Sequence, residues 1–167
     1  MICLIVFNFT SPIAFSKGEN EVGFDLQYSD TNASIDGEKV RGSSFVFNSL
    51  YLRNFKSVWS GVSIGYENSR STLEDNAYVN FGVPFKYWIK GPESKGIGIA
   101  VQATPYFGKK DDSEGGGTML GANLGPSLVV FMSDMLGIET KLYFDYRRVG
   151  SNSYTTTGLK AGFSVYF

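Results

Sequence analysis

Histidine is absent from the 167 residues, and cysteine occurs once, at Cys3. Without histidine the commonest side-chain acid or base near neutral pH is missing. One cysteine permits no intramolecular disulfide and no cysteine-rich metal centre. No apolar run reaches the ~18 residues that a membrane-crossing helix needs. Charge of either sign is not in excess: 15 Lys and Arg stand against 16 Asp and Glu. That balance leaves no basic footprint for nucleic acid and no acidic tail, so no nucleic-acid partner is expected. No G-x-x-x-x-G-K-[ST] run offers a phosphate loop. Aromatics, by contrast, are abundant at 16%, and 20 residues are glycine. A disordered chain would be poor in aromatics, so this chain folds, and its length suits one domain.

Residues 1–16 read MICLIVFNFTSPIAFS. The apolar run Ile2–Phe7, followed by the small residues Ala14 and Ser16 before Lys17, resembles a secretory signal peptide, although its first residues carry no Lys or Arg. The expected division is an export signal over 1–16 and one folded domain over 17–167. Cys3 would leave with the signal.

From residue 21 onward the dominant period is two, the mark of β-strands with unlike faces. A first strand over about 21–29 sets Val22, Phe24, Leu26 and Tyr28 against Gly23, Asp25, Gln27 and Ser29. The pattern repeats over about 58–67, 77–89, 96–108, 119–131, 136–147 and 154–167. The segment 43–53 is the least regular: Phe45, Phe47 and Tyr51 share one face, but Val46, Leu50 and Leu52 share the other, as a bulge would produce. Counting it gives eight strands of about 9–14 residues, longer than the ~5–6 residues of an ordinary strand. Pro84, Pro105 and Pro126 fall inside strands, where proline removes a ladder donor. Bulges or ladder gaps are expected there. Connections alternate between short (54–57, 90–95, 132–135) and longer polar ones (30–42, 68–76, 109–118, 148–153).

One face of this repeat is large and apolar. The other is small and ionic, with glycine, Asn and Ser, four acids (Asp25, Glu67, Glu139, Asp145) and four bases (Lys86, Lys141, Arg147, Lys160). Equal numbers on one face suggest mutual pairing in a closed lumen, because buried charges must be paired. Glycines on that face leave room in the narrow interior of eight strands. A soluble barrel would turn the apolar face inward and show denser charge outside. The expected fold is therefore all-β: a closed antiparallel up-and-down eight-stranded transmembrane β-barrel, its lumen closed by those eight charges. Tyr28, Tyr66, Phe107, Tyr146 and Tyr154 at the long-loop end, and Phe55, Trp59, Tyr87, Trp88, Tyr166 and Phe167 at the other, read as interfacial girdles.

The chain ends LKAGFSVYF. Lys160, Gly162, Val165 and Phe167 resemble the C-terminal assembly signal of bacterial outer-membrane barrels. That signal is a polar residue, a glycine two on, an apolar residue three later and a terminal aromatic. The stretch from Ala77 to Phe167, with GVPFKYWI, glycine-spaced strands and DYRRVG, resembles the outer-membrane β-barrel family that includes OmpA and OmpX, without a periplasmic domain. The resemblance implies an integral protein of the outer membrane in a Gram-negative cell, exported through the periplasm. It implies contact with outer-membrane lipid and lipopolysaccharide, and insertion by the barrel-assembly machinery. A monomer is expected.

Enzymes built on such barrels use a histidine, which this chain lacks, so no catalytic residue is assigned. Lys160 near a Ser or Thr could form a Ser–Lys pair, but a lumen ion pair is the simpler reading. Asp111, Asp112 and Glu114 could hold a hard cation, but Lys109, Lys110 and the glycine run favour a solvated loop. No metal and no cofactor are expected. Three functions follow: a non-enzymatic envelope-structural or surface-interaction protein acting through its extracellular loops; a narrow porin-like channel for small or hydrophobic solutes; or a soluble lipocalin-like ligand-binding barrel.

Overall fold

The computed structural model describes residues 4–7, 19–35, 38–55, 58–71, 75–91, 96–111, 117–150 and 152–167. All of its regular structure is strand: β1 (Leu4–Phe7), β2 (Asn20–Ile35), β3 (Glu38–Phe55), β4 (Val58–Ser71), β5 (Asp75–Gly82), β6 (Phe85–Lys90), β7 (Gly96–Asp111), β8 (Thr118–Phe131), β9 (Leu136–Val149) and β10 (Asn152–Tyr166). With β5 and β6 taken together, each strand from β2 on pairs antiparallel with the next in sequence, and β10 returns to β2. β5 and β6 are two halves of one wall strand, both lying between β4 and β7. The result is a closed eight-stranded barrel with β1 as an extra strand. Closure pairs every wall strand on both sides over at least part of its length, which limits the exposed edge open to edge-to-edge association.

The irregularities have identifiable causes. The wall strand breaks at Val83–Pro84, yet β5 and β6 keep one common register against both neighbours. Pro84 thus opens a ladder gap, not a bulge, and Pro105 lies opposite it, its carbonyl accepting from Val83 N–H at 3.0 Å. A second gap falls at Gly125–Pro126 between β8 and β9. The one register shift in this wall lies between Trp88 and Lys90. The bulge expected in 43–53 is not there. β3 pairs without interruption on both sides, so Val46, Leu50 and Leu52 simply face inward.

Two of the expected long connections are largely strand. β2 and β3 remain paired out to Ile35 and Glu38, and β4 and β5 out to Arg70 and Asp75. The extensions are rich in polar residues, with Asp30, Thr31, Asn32, Ser34, Glu38, Lys39 and Arg41 in one and Asn68, Ser69, Arg70, Ser71, Asp75 and Asn76 in the other, so the apolar alternation weakens while backbone pairing continues. At the far end of β9, Gly150 takes φ +59°, a conformation that favours glycine. Asp112 and Glu114 lie outside the described residues, as do residues 8–16 of the expected export segment. Leu4–Phe7 pair with Ser29–Leu26 of β2.

Side chains follow the alternation. Among the described residues twenty-nine large apolar side chains are exposed; all but Met132 and Met135, which lie in the turn between β8 and β9, belong to the wall, nearly all on its outward face, and every wall strand contributes. The inward face carries the polar groups and, at one end, a buried cluster of Leu50, Leu52, Trp59, Val129, Phe131 and Tyr166, with Trp88 packed on it. That end holds the short turns and both ends of the barrel sequence. Asn20 N–H donates to Phe167 O at 2.8 Å, and Phe167 N–H to Asn20 O at 2.9 Å.

Candidate functional site

The lumen has two unlike halves. At the short-turn end, aromatic rings fill it. Tyr166 packs against Trp59, Trp88 and Phe131 with centroids 6.0, 5.9 and 5.3 Å away, in edge-on or tilted arrangements. Such geometry suits the ring quadrupoles. Small residues make the sockets: a Cβ on Gly98 would meet the Trp88 ring at 2.7 Å and Phe131 at 2.9 Å. Trp59, Trp88 and Tyr166 therefore do not form an outer girdle as expected. They occupy inward positions of β4, β6 and β10 and plug the barrel, while Phe55 and Tyr87 do face out.

A charged cluster sits against this plug. Lys86 Nζ donates to Glu21 Oε1 at 2.8 Å and Oε2 at 3.1 Å, and to Glu139 Oε2 at 3.2 Å. Ser164 Oγ lies 2.8 Å from Glu21 Oε1 and 2.9 Å from Glu139 Oε2, and its single proton can be donated to either carboxylate. Lys86, Glu21, Glu139 and Ser164 are all buried. They come from β6, β2, β9 and β10, so the lysine spans the lumen and ties its walls together. Lys86 Nζ also lies 4.7 Å from the centroid of the Trp88 ring, a cation–π distance.

The other half is polar and partly open. Arg147 and Glu67, on opposite walls, form a bidentate pair at 2.7 and 3.2 Å. Arg147 Nε lies 3.9 Å from Asp145, which accepts the Tyr106 hydroxyl at 2.9 Å. Lys141 Nζ donates to Gln102 Oε1 at 2.7 Å, and Gln102 Nε2 to Thr104 at 3.1 Å. Lys160 Nζ sits 4.5 Å over the Tyr143 ring, and Gln27 Nε2 donates to the Tyr143 hydroxyl at 2.7 Å. A cavity of about 130 Å³ lies among these groups.

All eight charges read from the sequence thus face the lumen, but in separate groups. Lys86 and Glu139 form one, and Glu67, Asp145 and Arg147 another. Asp25, Lys141 and Lys160 have no ion-pair partner within 4 Å among the described residues. Sequence reasoning missed Glu21, Ser164, Gln102 and the two luminal tyrosines Tyr106 and Tyr143. Parity could have found Glu21, which is two residues before Gly23 on the same face.

The four residues of the C-terminal pattern sit at the closure of the barrel. Lys160 lines the cavity. Gly162 pairs with Asp25 and Val165 with Val22 across the β2–β10 junction. Phe167 makes the reciprocal backbone bonds to Asn20. Among the described residues no three Cys, Asp or Glu side chains converge as a metal site. No protein family, no curated protein and no solved structure matches the chain.

Proposed function

We propose that this chain is an integral outer-membrane β-barrel protein, non-enzymatic, with an envelope-structural or surface-interaction role through the strand extensions and loops at its long-connection end. The observation that carries the reading is the direction of the side chains. Among the described residues twenty-seven large apolar groups of the wall are exposed, nearly all around its outside, while Glu21, Lys86, Glu139 and Lys141 are buried within. Fully burying such a side chain is worth ~1.5–3 kcal/mol, so leaving this many of them about half exposed to water would still forgo tens of kcal/mol. Contact with acyl chains removes that cost. A soluble ligand-binding barrel needs the opposite orientation, with an apolar cavity and a wet exterior. The aromatic plug argues against a standing channel, since an eight-stranded interior is just wide enough for side chains to fill.

Outer-membrane lipid and lipopolysaccharide would be the surroundings of the apolar belt, and the assembly machinery the reader of Lys160, Gly162, Val165 and Phe167. Fractionation of expressing cells tests the reading. The chain is expected in the membrane pellet after carbonate washing, and to migrate on gels at a different apparent mass when boiled than when not. Recovery from the soluble fraction, with no heat-dependent shift, would sink it.

A further inference from the structure

β2 is paired with β3 along its whole length, from Asn20–Arg53 to Ile35–Glu38. Its other edge, the seam that closes the barrel, is shared between two strands. β10 takes Glu21–Asp25 and β1 takes Leu26–Ser29. β10 is likewise paired with β9 from Asn152 to Val165, but with β2 only from Gly162 to Tyr166. Among the described residues, the seam side of Asn152–Ala161 has no ladder partner. Part of that edge lies within the apolar belt: Leu159 pairs with Leu142 of β9, and both side chains are exposed and face outward. Unpaired backbone groups are costly at a depth where no water reaches them.

The two strands are nevertheless matched for closure. Each rung beyond Gly162–Asp25 steps one residue back along β10 and one forward along β2. The next rungs would be Ala161–Leu26, Lys160–Gln27, Leu159–Tyr28 and Gly158–Ser29, and the last would be Asn152–Ile35. Those are the first residue of β10 and the last of β2, so the two stretches are equally long. Their faces agree as well. Leu159 and Tyr28 are exposed and face outward, while Lys160 and Gln27 both line the lumen cavity. A slip of one residue would put one strand's whole set on the wrong face. The first four of these rungs use the β2 residues that β1 holds.

We propose that β1 and the Asn152–Ala161 half of β10 are alternative partners for one edge of β2: β1 in place holds the seam open, and its withdrawal lets the seam zip as far as Asn152–Ile35. β1 lies in the expected export segment, so removal of residues 1–16 would make the closure one-way. The cost of the open edge rests on the membrane reading above; the register match does not. The test uses the full-length chain with Cys3→Ser, folded in a non-ionic detergent, and a cysteine pair at a rung that only the zipped seam makes, Asp30→Cys with Thr157→Cys. With β1 intact this pair should stay reduced under mild oxidation. Ile5→Pro with Phe7→Pro, which removes two ladder donors from β1, should raise the cross-linked fraction at least about fivefold, because the pair then comes within disulfide reach. Asp30→Cys with Thr155→Cys, out of register, should stay reduced in both backgrounds. Amide exchange at the seam-facing N–H groups of Asn152–Lys160 should be slow in the proline variant, and fast when Ile5→Cys and Tyr28→Cys tie β1 to its own rung. Equal cross-linking with and without the prolines, or slow exchange in the tied form, overturns the proposal. The tied form keeps β1 paired, so it tests the proposal even where the proline variant does not fold. A chain that fractionates with membranes and shows the heat-dependent shift, yet cross-links equally in both backgrounds, refutes this inference alone.

Discussion

Lys86 is the side chain whose loss should do the most damage for its size. Its ammonium is fully buried and lies 2.8 Å from Glu21 and 3.2 Å from Glu139. Lys86→Met keeps most of the stem's volume and its contact with the Trp88 ring, and removes only the charge. Two buried carboxylates then face each other through Ser164, with no cation between them. Breaking a buried ion pair by deleting one partner costs ~3–5 kcal/mol, because the survivor is left uncompensated. Two survivors place Lys86→Met at the upper end of that range. The triple change Lys86→Met, Glu21→Gln, Glu139→Gln removes all three charges and should recover most of the loss, since replacing a whole buried ion cluster is often near neutral. The assay is urea unfolding from lipid vesicles, with the folded fraction read from the unboiled gel band. A Lys86→Met variant within 1 kcal/mol of the parent, or a triple variant no better than the single one, would refute the reasoning.

Three further outcomes are expected. Leu142→Arg, at a 53% exposed outward position midway along β9, should cost ~2–4 kcal/mol if that face meets acyl chains. The same change on a wetted surface should stay within about 0.5 kcal/mol, so vesicle unfolding separates the two. Gly61→Ala and Gly125→Ala would drive a Cβ into the carbonyls of Tyr51 and Leu142 on the neighbouring strands. Each should lose at least the ~1–3 kcal/mol typical of overpacking, whereas Gly117→Ala, whose Cβ would meet nothing closer than 3.5 Å, should unfold with the parent. In planar bilayers the parent should be silent and Trp88→Ala with Phe131→Ala should show openings; steady openings of the parent would contradict a sealed plug.

The alternation of residue types was enough to read the strand count, the closed antiparallel order and the inward set, because each rests on a period-two pattern repeated along every wall. Charge placement was legible for the same reason: Glu67 and Arg147 share the inward parity of their strands, and the structure brings them together across the lumen. Which charges pair was not legible, because pairing depends on the stagger of strands around the barrel and not on parity. Lys141 meets Gln102, and Glu21 supplies the partner for Lys86, at distances no single strand encodes. The aromatics show a different failure. Trp59, Trp88 and Tyr166 lie on the inward parity of their own strands, but their places near strand ends suggested girdles. Parity and end position gave opposite answers, and the packing of large rings over Gly98 and Gly137 resolved them in favour of parity. The hairpin extensions of β2–β3 and β4–β5 escaped notice because their sequences are rich in Asp, Asn, Ser, Lys and Arg, which weakens the apolar alternation from which strands were read.

The division of the lumen follows from what each end must exclude. An eight-stranded wall encloses little volume, and the cheapest way to fill a dry stretch is with rings and small residues in register. That arrangement closes the short-turn end, where the chain's first and last wall strands also meet through paired backbone bonds between Asn20 and Phe167. Lys86, Glu21 and Glu139 lie directly on the plug, so their mutual attraction acts where water is least able to screen it. Farther along, Gly121 and Gly158 give up side-chain volume to Tyr106 and Tyr143, and the remaining space is lined by Asn, Gln, Thr and charged groups. The same seam that is firmly laced beside the plug therefore runs out of β2–β10 pairing where the lumen becomes wet. Stability is concentrated at one end of the barrel and access at the other. Amide hydrogen exchange should divide β2 and β10 accordingly, with Glu21–Asp25 and Gly162–Tyr166 slow and Asn152–Lys160 fast on their seam-facing N–H groups. Uniform protection along both strands would mean that the seam is sealed throughout.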